Sequence, residues 1–415
     1  MKEEKKLQQN EKKLSRRTML KGVAAVAGAA AASIGFPGVK RASAQTPIVL
    51  KMQSTWPTKD IFHEDFVDWV KKVDEMAGGR LKIDALPAGA VVPAFELIEA
   101  VSRGTLDGGH GVPAYWFGRN RATSLLGTGP SFGLDAEGML AWIHYGGGQE
   151  LYDELLRDIL KMNVVSFFEG PMPTQPLGWF KTEIKKPEDL KDVRFRTVGL
   201  AASLYMEMGA AVKILPGGEI IPAMERGVLD AAEFNNMSSD KLLGFPDVRK
   251  ICMVQSYHQS AECFEIMFNK TKFDALPKDL QMIIKYACMA QSADMSWKLH
   301  KRNADDMVEM ETKRGVKFIK TPKSVLVAQL KAWDKIIEKE SKENPFFAKV
   351  IASQRKYAEV VVDWRTKIMI ENETAYKHWF VKPVPKPVEK PAPKPAPKPA
   401  EKPAVKPAEK PPAKK

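Results

Sequence analysis

Eleven residues recur in this chain with the same grammar: AVSRGTLDGGH at 100–110 and AMERGVLDAAE at 223–233. Each run ends a helix on Arg-Gly, turns, passes through Leu-Asp and two small residues, and finishes on one ionisable side chain, His110 or Glu233. Gly104 and Gly227 stand where a helix closes on a left-handed residue, a conformation glycine adopts without a Cβ clash. Asp107 and Asp230 follow at the same distance. Two readings stand: a chance match of helix-turn-strand units, which many α/β proteins share, or a structural repeat. A repeat constrains the chain to two similarly built lobes in which His110 and Glu233 occupy equivalent strand ends. Ligands of open α/β sheets bind beyond the carboxyl ends of strands, so two such lobes facing each other would form a cleft with Glu233 pointing into it.

The foldable part is bounded by two ends of biased composition. Residues 15–45, SRRTMLKGVAAVAGAAAASIGFPGVKRASAQ, run from charge through an Ala/Gly-rich stretch to Ala42-Ser43-Ala44, a small-x-small cleavage signature. The stretch is too weakly apolar for a bilayer span, and Arg16-Arg17 before Met19, Leu20 and Lys21 has the look of a twin-arginine export signal. An ordinary export signal is the alternative. At the other end Lys-Pro recurs every four residues from Lys382 to Lys410, a pattern that builds neither core nor helix. It predicts an extended arm of at most about 100 Å, either a plain tether or a contact for anionic cell wall or lipid headgroups. Each end carries ten basic and three acidic residues, so the net charge of +13 leaves −1 for the body. The basic pI therefore gives no support to nucleic-acid binding, and no basic-aromatic groove motif appears.

Between these ends, short apolar runs alternate with amphipathic helices, which argues α/β. IVLKMQST (48–55) reads as a strand and FHEDFVDWVKKVDEMAGG (62–79) as a helix with Phe66, Trp69, Val70 and Val73 on one face. RLKIDAL then reads as a strand and AFELIEAVSRG as a helix. Beyond about 275 the pattern turns helical, over 278–315, 324–344 and 345–380. The last stretch carries Val360, Val361, Trp364 and Ile368, and suits either a strut across both lobes or a contact with a second copy. The expected division is 1–44 signal, 45–165 first lobe, 166–275 second lobe, 276–380 bracing helices and 381–415 disordered arm. Cys252, Cys263 and Cys288 show no metal or redox spacing. They read as buried apolar residues, with a Cys252–Cys263 bridge as the alternative.

Catalytic signatures are sparse. The six histidines form no HExxH or His-x-His motif, HEDF at 63–66 lacks a second histidine, and YGGG at 145–148 belongs to no phosphate loop. No GxSxG or Ser-x-x-Lys elbow is present. What the second half offers is polar residues following apolar runs: Gln175 in VVSFFEGPMPTQPLGWF, Arg194 and Arg196 in KDVRFRTVGL, Glu233 to Asn236 in VLDAAEFNN, and Tyr257, His258 and Gln259 in CMVQSYHQSAECFEIMFN.

The order of TQPLGWF, LKDVRFRTVGLAASLYMEMGA, LPGGEIIPAMERGVLDAAEFNN and YHQS resembles the extracytoplasmic solute receptors of tripartite ATP-independent periplasmic (TRAP) transporters, nearest to the branch that binds 2-oxo acids and lactate. The resemblance spans about 47–380. It implies a periplasmic, two-lobed binding-protein fold of type II with hinge and cleft, a small organic acid ligand, a membrane permease as partner, a homodimer and no enzymatic step. It further implies that Arg196 clamps the ligand carboxylate and that Gln175, Glu233 and the carbonyl of Phe234 hold a cation, sodium or calcium, that bridges to the ligand. Gln259 falls where another polar contact is expected. Phe234 departs from the branch, where tryptophan is frequent.

Elementary chemistry agrees with that assignment. A planar guanidinium meets a carboxylate with two parallel hydrogen bonds. Arg196, Glu233 and a monocarboxylate together leave one negative charge, whose burial costs several kcal/mol unless a cation joins them. Carboxylate, amide and carbonyl oxygens suit Na⁺ or Ca²⁺ rather than zinc, and the 2-oxo or 2-hydroxy oxygen of the ligand would complete the shell. Asn235 and Asn236 then fix the strand-end backbone. Two rivals stand: an envelope enzyme using His110 or His258 opposite Glu233, and an interaction protein anchored by the Lys-Pro arm.

Overall fold

The computed structural model describes residues 46–381, so the export segment 1–44 and the Lys-Pro repeats lie outside the described residues. The chain divides after Asp363 into two compact units, the second of which begins at Trp364. Eleven strands occur among the described residues: β1 (Ile48–Ser54), β2 (Leu81–Leu86), β3 (Gly108–Gly111), β4 (Val164–Met172), β5 (Gly178–Phe180), β6 (Arg194–Arg196), β7 (Ala211–Lys213), β8 (Ala231–Ala232), β9 (Ile251–Val254), β10 (Glu262–Asn269) and β11 (Lys317–Lys320). They form two mixed sheets, ordered β2-β1-β3-β10-β4 and β11-β9-β5-β8-β6-β7. Each sheet is the centre of one lobe.

The repeat read from the sequence is structural. The parallel trio β2-β1-β3 has its counterpart in the parallel trio β7-β6-β8. Met52 and Gln53 pair with Gly108 and Gly109, as Phe195 and Arg196 pair with Ala231 and Ala232. Gly104 and Gly227 close their helices at φ +79° and +70°. The Asp107 N–H donates to the Lys51 carbonyl at 2.9 Å while its carboxylate accepts the Lys51 N–H at 2.6 Å. Asp230 does the same with Arg194, at 2.8 and 3.3 Å. In each trio an antiparallel strand follows, β10 beside β3 and β5 beside β8.

The connections between the sheets position the site. Residues 173–177 carry the chain from β4 to β5, and 255–261 return it from β9 to β10. Thus β4, which spans position 165, and β10 both belong to the first sheet, and each lobe is discontinuous in sequence. The helix Lys278–Arg314 then leads from β10 to β11 and touches both sides. Its ion pairs Lys72–Asp294 (2.7 Å) and Arg302–Glu64 (3.0 Å) reach the helix Ile61–Ala77, and Lys241–Asp306 (2.7 Å) reaches the helix Met237–Leu243. Pairs this exposed each contribute little to stability; their use here is to set where the helix lies.

The helix Ile61–Ala77 buries Phe66, Trp69 and Val73 and ends on Gly78 at φ +58°. The 345–380 stretch is two helices, Pro345–Ile368 and Asn372–Phe380, rather than one. Phe346, Phe347, Val350 and Ile351 join a core cluster that holds residues of both lobes, Leu125 and Phe195 among them, and the Trp142 indole donates to Ser353 at 3.3 Å. All three cysteines are buried and free. Cys252 lies on β9 and Cys263 on β10, strands of different sheets, so the bridge considered from sequence does not form.

Candidate functional site

The carboxyl ends of β1, β3, β6 and β8 converge between the lobes, as the strand-end rule requires. A narrow hollow, almost filled by its lining side chains, lies there. From the first lobe it is lined by Trp56, Val112 and Tyr115, and from the second by Arg196, Val198, Phe234 and Asn235. Glu262 and Phe264, at the start of β10, complete the wall.

Arg196 closes β6 and is fully buried. Its Nε donates to the Leu215 carbonyl at 2.9 Å, and Nη1 donates to the carbonyl and to the Oε1 of Glu233 at 2.9 and 3.1 Å. Gln53, its counterpart in the first lobe, donates to the Val92 carbonyl at 2.9 Å. Both side chains therefore tie down the loop that follows the neighbouring parallel strand, and only the arginine brings a charge to the cleft. Its Nη2 has no acceptor among the described residues.

Glu233 is fully buried, and its Oε2 has no donor; the nearest ring nitrogen, His258 Nε2, stands 3.9 Å away. The ring of Phe234 faces the guanidinium of Arg196 at 5.4 Å, a favourable cation–π arrangement. That ring fits because Gly217 has no Cβ: one placed there would meet the ring at 2.6 Å. Gln175 and Gln259 sit on the two crossovers, joined by a backbone hydrogen bond of 3.2 Å. The Gln175 Nε2 donates to Glu262 at 3.0 Å, leaving its Oε1 without a donor. Both amide atoms of Gln259 lack partners among the described residues.

Asn236 accepts from the N–H groups of Ser238 and Ser239 and caps the helix Met237–Leu243, the backbone role read from sequence. Asn235 goes further. Its side chain reaches the cavity and donates to Glu262. Burial, reinforced by nearby Glu233, pushes the Glu262 carboxyl up to about 8, so this acid holds its proton at pH 7. Sequence reasoning missed Glu262, Trp56 and Tyr115. A signal existed for the first: Glu262 and Glu265 are two acids in a strand whose eight residues are all buried.

His110 occupies the strand position equivalent to Glu233 but turns into the first lobe. Its Nε2 lies 2.9 Å from Glu169, angled away from a good hydrogen bond, and its ring packs on Trp56 and Phe66. Of the residues singled out from sequence, Arg196, Phe234 and Asn235 line the cavity, whereas Glu233, Gln175, Gln259, His110 and His258 stand behind or beside its wall. No cluster of three or more His, Cys, Asp or Glu suited to a metal occurs among the described residues. A cation here would rely on amide and carbonyl oxygens besides Glu233.

The family model of the bacterial extracellular solute-binding proteins, family 7 (DctP), matches residues 52–344. The chain belongs to this family. The match runs from β1 through both crossovers to the helix Lys323–Glu343, so it takes in the whole site of this family 7 protein. A monocarboxylate 2-oxoacid-binding periplasmic protein of Nostoc is 28% identical over 369 residues, 88% of this chain and 99% of that protein. A TRAP transporter solute-binding protein from Bordetella bronchiseptica superposes with a TM-score of 0.75 at 30% identity, over 80% of this chain and 97% of that one. That protein is a dimer with calcium and picolinate in one site and the other site apo. Two further TRAP solute-binding proteins superpose with TM-scores of 0.73 at 29% identity, each over 80% of this chain and 99% of the other. The one from Pseudoalteromonas atlantica holds sodium and pyruvate, and the one from Colwellia psychrerythraea holds calcium and pyruvate. Two lobes around a central cleft are thus the fold of this chain and of these relatives.

Proposed function

We propose that this protein is the solute receptor of a TRAP transporter and binds a small 2-oxo or 2-hydroxy monocarboxylate together with Na⁺ or Ca²⁺. One observation carries the reading: in a single buried region, a guanidinium nitrogen lacks an acceptor while a carboxylate oxygen and an amide oxygen lack donors. Leaving such atoms unmatched costs on the order of 1–3 kcal/mol each. A carboxylate against Arg196 Nη2 supplies the acceptor, and a cation against Glu233 Oε2, Gln175 Oε1 and the Phe234 carbonyl supplies the positive partner. Arg196 and Glu233 cancel, so acid and cation enter as a compensated pair. Gln259 contributes a further polar contact.

Pyruvate and picolinate, found in the relatives, share the chemistry this arrangement asks for: a carboxylate whose neighbouring carbon carries a lone-pair donor, so that the two chelate a hard cation. An open form would admit the acid and closure about the crossovers would seal it, with no chemical step and with delivery to a membrane permease. Export through the twin-arginine route, a periplasmic location and a tail contact with wall or headgroups belong to this reading as expectations from sequence. The expected division, 45–165 for the first lobe and 166–275 for the second, needs amendment in this reading, since β4 and β10 pair within the first sheet.

The test is a thermal-shift screen of small 2-oxo and 2-hydroxy acids with and without Na⁺ and Ca²⁺. A ligand at a hundred times its Kd stabilises the folded chain by about 2.7 kcal/mol, a clear rise in Tm. No rise with any acid, in either cation, ends the proposal.

A further inference from the structure

A second, wider hollow lies at the mouth of the cleft. Phe95, Trp116, Phe117 and Ile214 line it, and it shares only Tyr115 and Val198 with the inner cavity. These two side chains are therefore the partition between a polar chamber and an apolar one. Tyr115 comes from the turn after β3 and Val198 from the segment after β6, so each lobe supplies one half of it. Phe95 braces the partition, its ring meeting Tyr115 edge-on at 4.8 Å.

A passage that served only to admit small anions would gain from positive charge, which raises encounter rates. This one is aromatic and aliphatic. Its lining cation, Arg119, is paired with Glu99. An apolar chamber directly in front of an acid-binding one suits a ligand that is acidic at one end and hydrocarbon at the other.

We infer that the outer hollow receives the acyl tail of the ligand, that Tyr115 and Val198 select tail length and shape, and that the preferred class is 2-oxo acids bearing a branched or phenyl tail. This inference rests on the 2-oxo-acid reading above. The head stays with Arg196 and the cation while the tail passes between Tyr115 and Val198. Each methylene removed from water is worth about a fourfold gain in affinity, so tail length has a graded and measurable effect.

The experiment is isothermal titration of the full chain, in Na⁺ and in Ca²⁺, with pyruvate, 2-oxobutanoate, 4-methyl-2-oxopentanoate and phenylpyruvate. We expect 4-methyl-2-oxopentanoate to bind at least about tenfold more tightly than pyruvate, since three carbons are added at about fourfold each. Ile214→Trp fills the outer hollow from a position 47% exposed, where folding tolerates it; it should remove the long acids' advantage and leave pyruvate unchanged. Affinity that is flat or falls with tail length, or an Ile214→Trp profile identical to the parent, overturns the tail assignment while pyruvate binding still supports the receptor reading. No binding by any of the four acids overturns both.

Discussion

At the scale of single residues, Arg196 has two employers. It is aimed at the cavity, and it also compensates Glu233 and ties the Leu215 carbonyl. Arg196→Ala therefore strands a buried carboxylate at a cost of about 3–5 kcal/mol, and the apo protein should lose roughly 5–10 °C in Tm by calorimetry. Arg196→Lys keeps the charge and forfeits the planar fork; it should stay folded and bind the acid at least about tenfold more weakly. Sequence alone singled out Arg196, Glu233 and Gln175 because charged or amide groups ended apolar runs, and their roles, with that of the Phe234 carbonyl, came from the family resemblance. It did not disclose that Arg196 and Glu233 bond to each other, nor that Glu262 and Asn235 do, since those contacts join segments 27 or more positions apart. Trp56 and Tyr115 were illegible for a different reason: an aromatic ring near a strand end reads the same whether it faces core or cavity.

At the scale of elements, the eleven-residue echo was the most informative signal. It was legible because helix closure and the Asp clamp are local chemistry, repeated at Asp107 and Asp230. The strand trios and their common register followed from it. The discontinuous lobes did not, because β10 looks like any buried strand until its partners are known. The fit of the helix Gly217–Glu225 against the site makes a prediction at this scale. Gly217→Ala removes backbone freedom, which at a tolerant helical position stabilises slightly, yet its new methyl would press on the Phe234 ring. Affinity should fall about tenfold in titrations while Tm moves by only a degree or two. A second prediction concerns the clasp between helices of opposite lobes. Ser239 on the helix Met237–Leu243 donates to Asp60, the cap of the helix Ile61–Ala77, at 2.9 Å. Burial pushes the Asp60 carboxyl up to about 7 despite that hydrogen bond. Opened to water it would return towards 3.8. Closure then takes up a proton between about pH 4 and 7, so the closed form loses ground as pH rises through that window. Affinity should be higher at pH 5 than at pH 8, by up to about a hundredfold. Asp60→Asn, which still caps the helix, should remove this share of the dependence and leave that of Glu262.

At the scale of the whole molecule, the second unit carries an unusual surface: Ile370, Trp379 and Phe380 are 83%, 73% and 74% exposed. Apolar side chains in such density mark contact surfaces, and the Bordetella relative is a dimer. If two copies of this chain associate through that surface, Trp379→Ser should lower the mass seen by light scattering at micromolar concentration. The asymmetry between Gln53 and Arg196 has a consequence for the order of events. The second lobe supplies the guanidinium, the Glu233 carboxylate and the Phe234 carbonyl, whereas the facing lobe offers rings, a valine and the Glu262 carboxyl. An arriving acid thus meets the guanidinium before the opposite wall swings over. Recognition of the head group is set by one wall, and retention is a matter of shape, expressed in the off-rate.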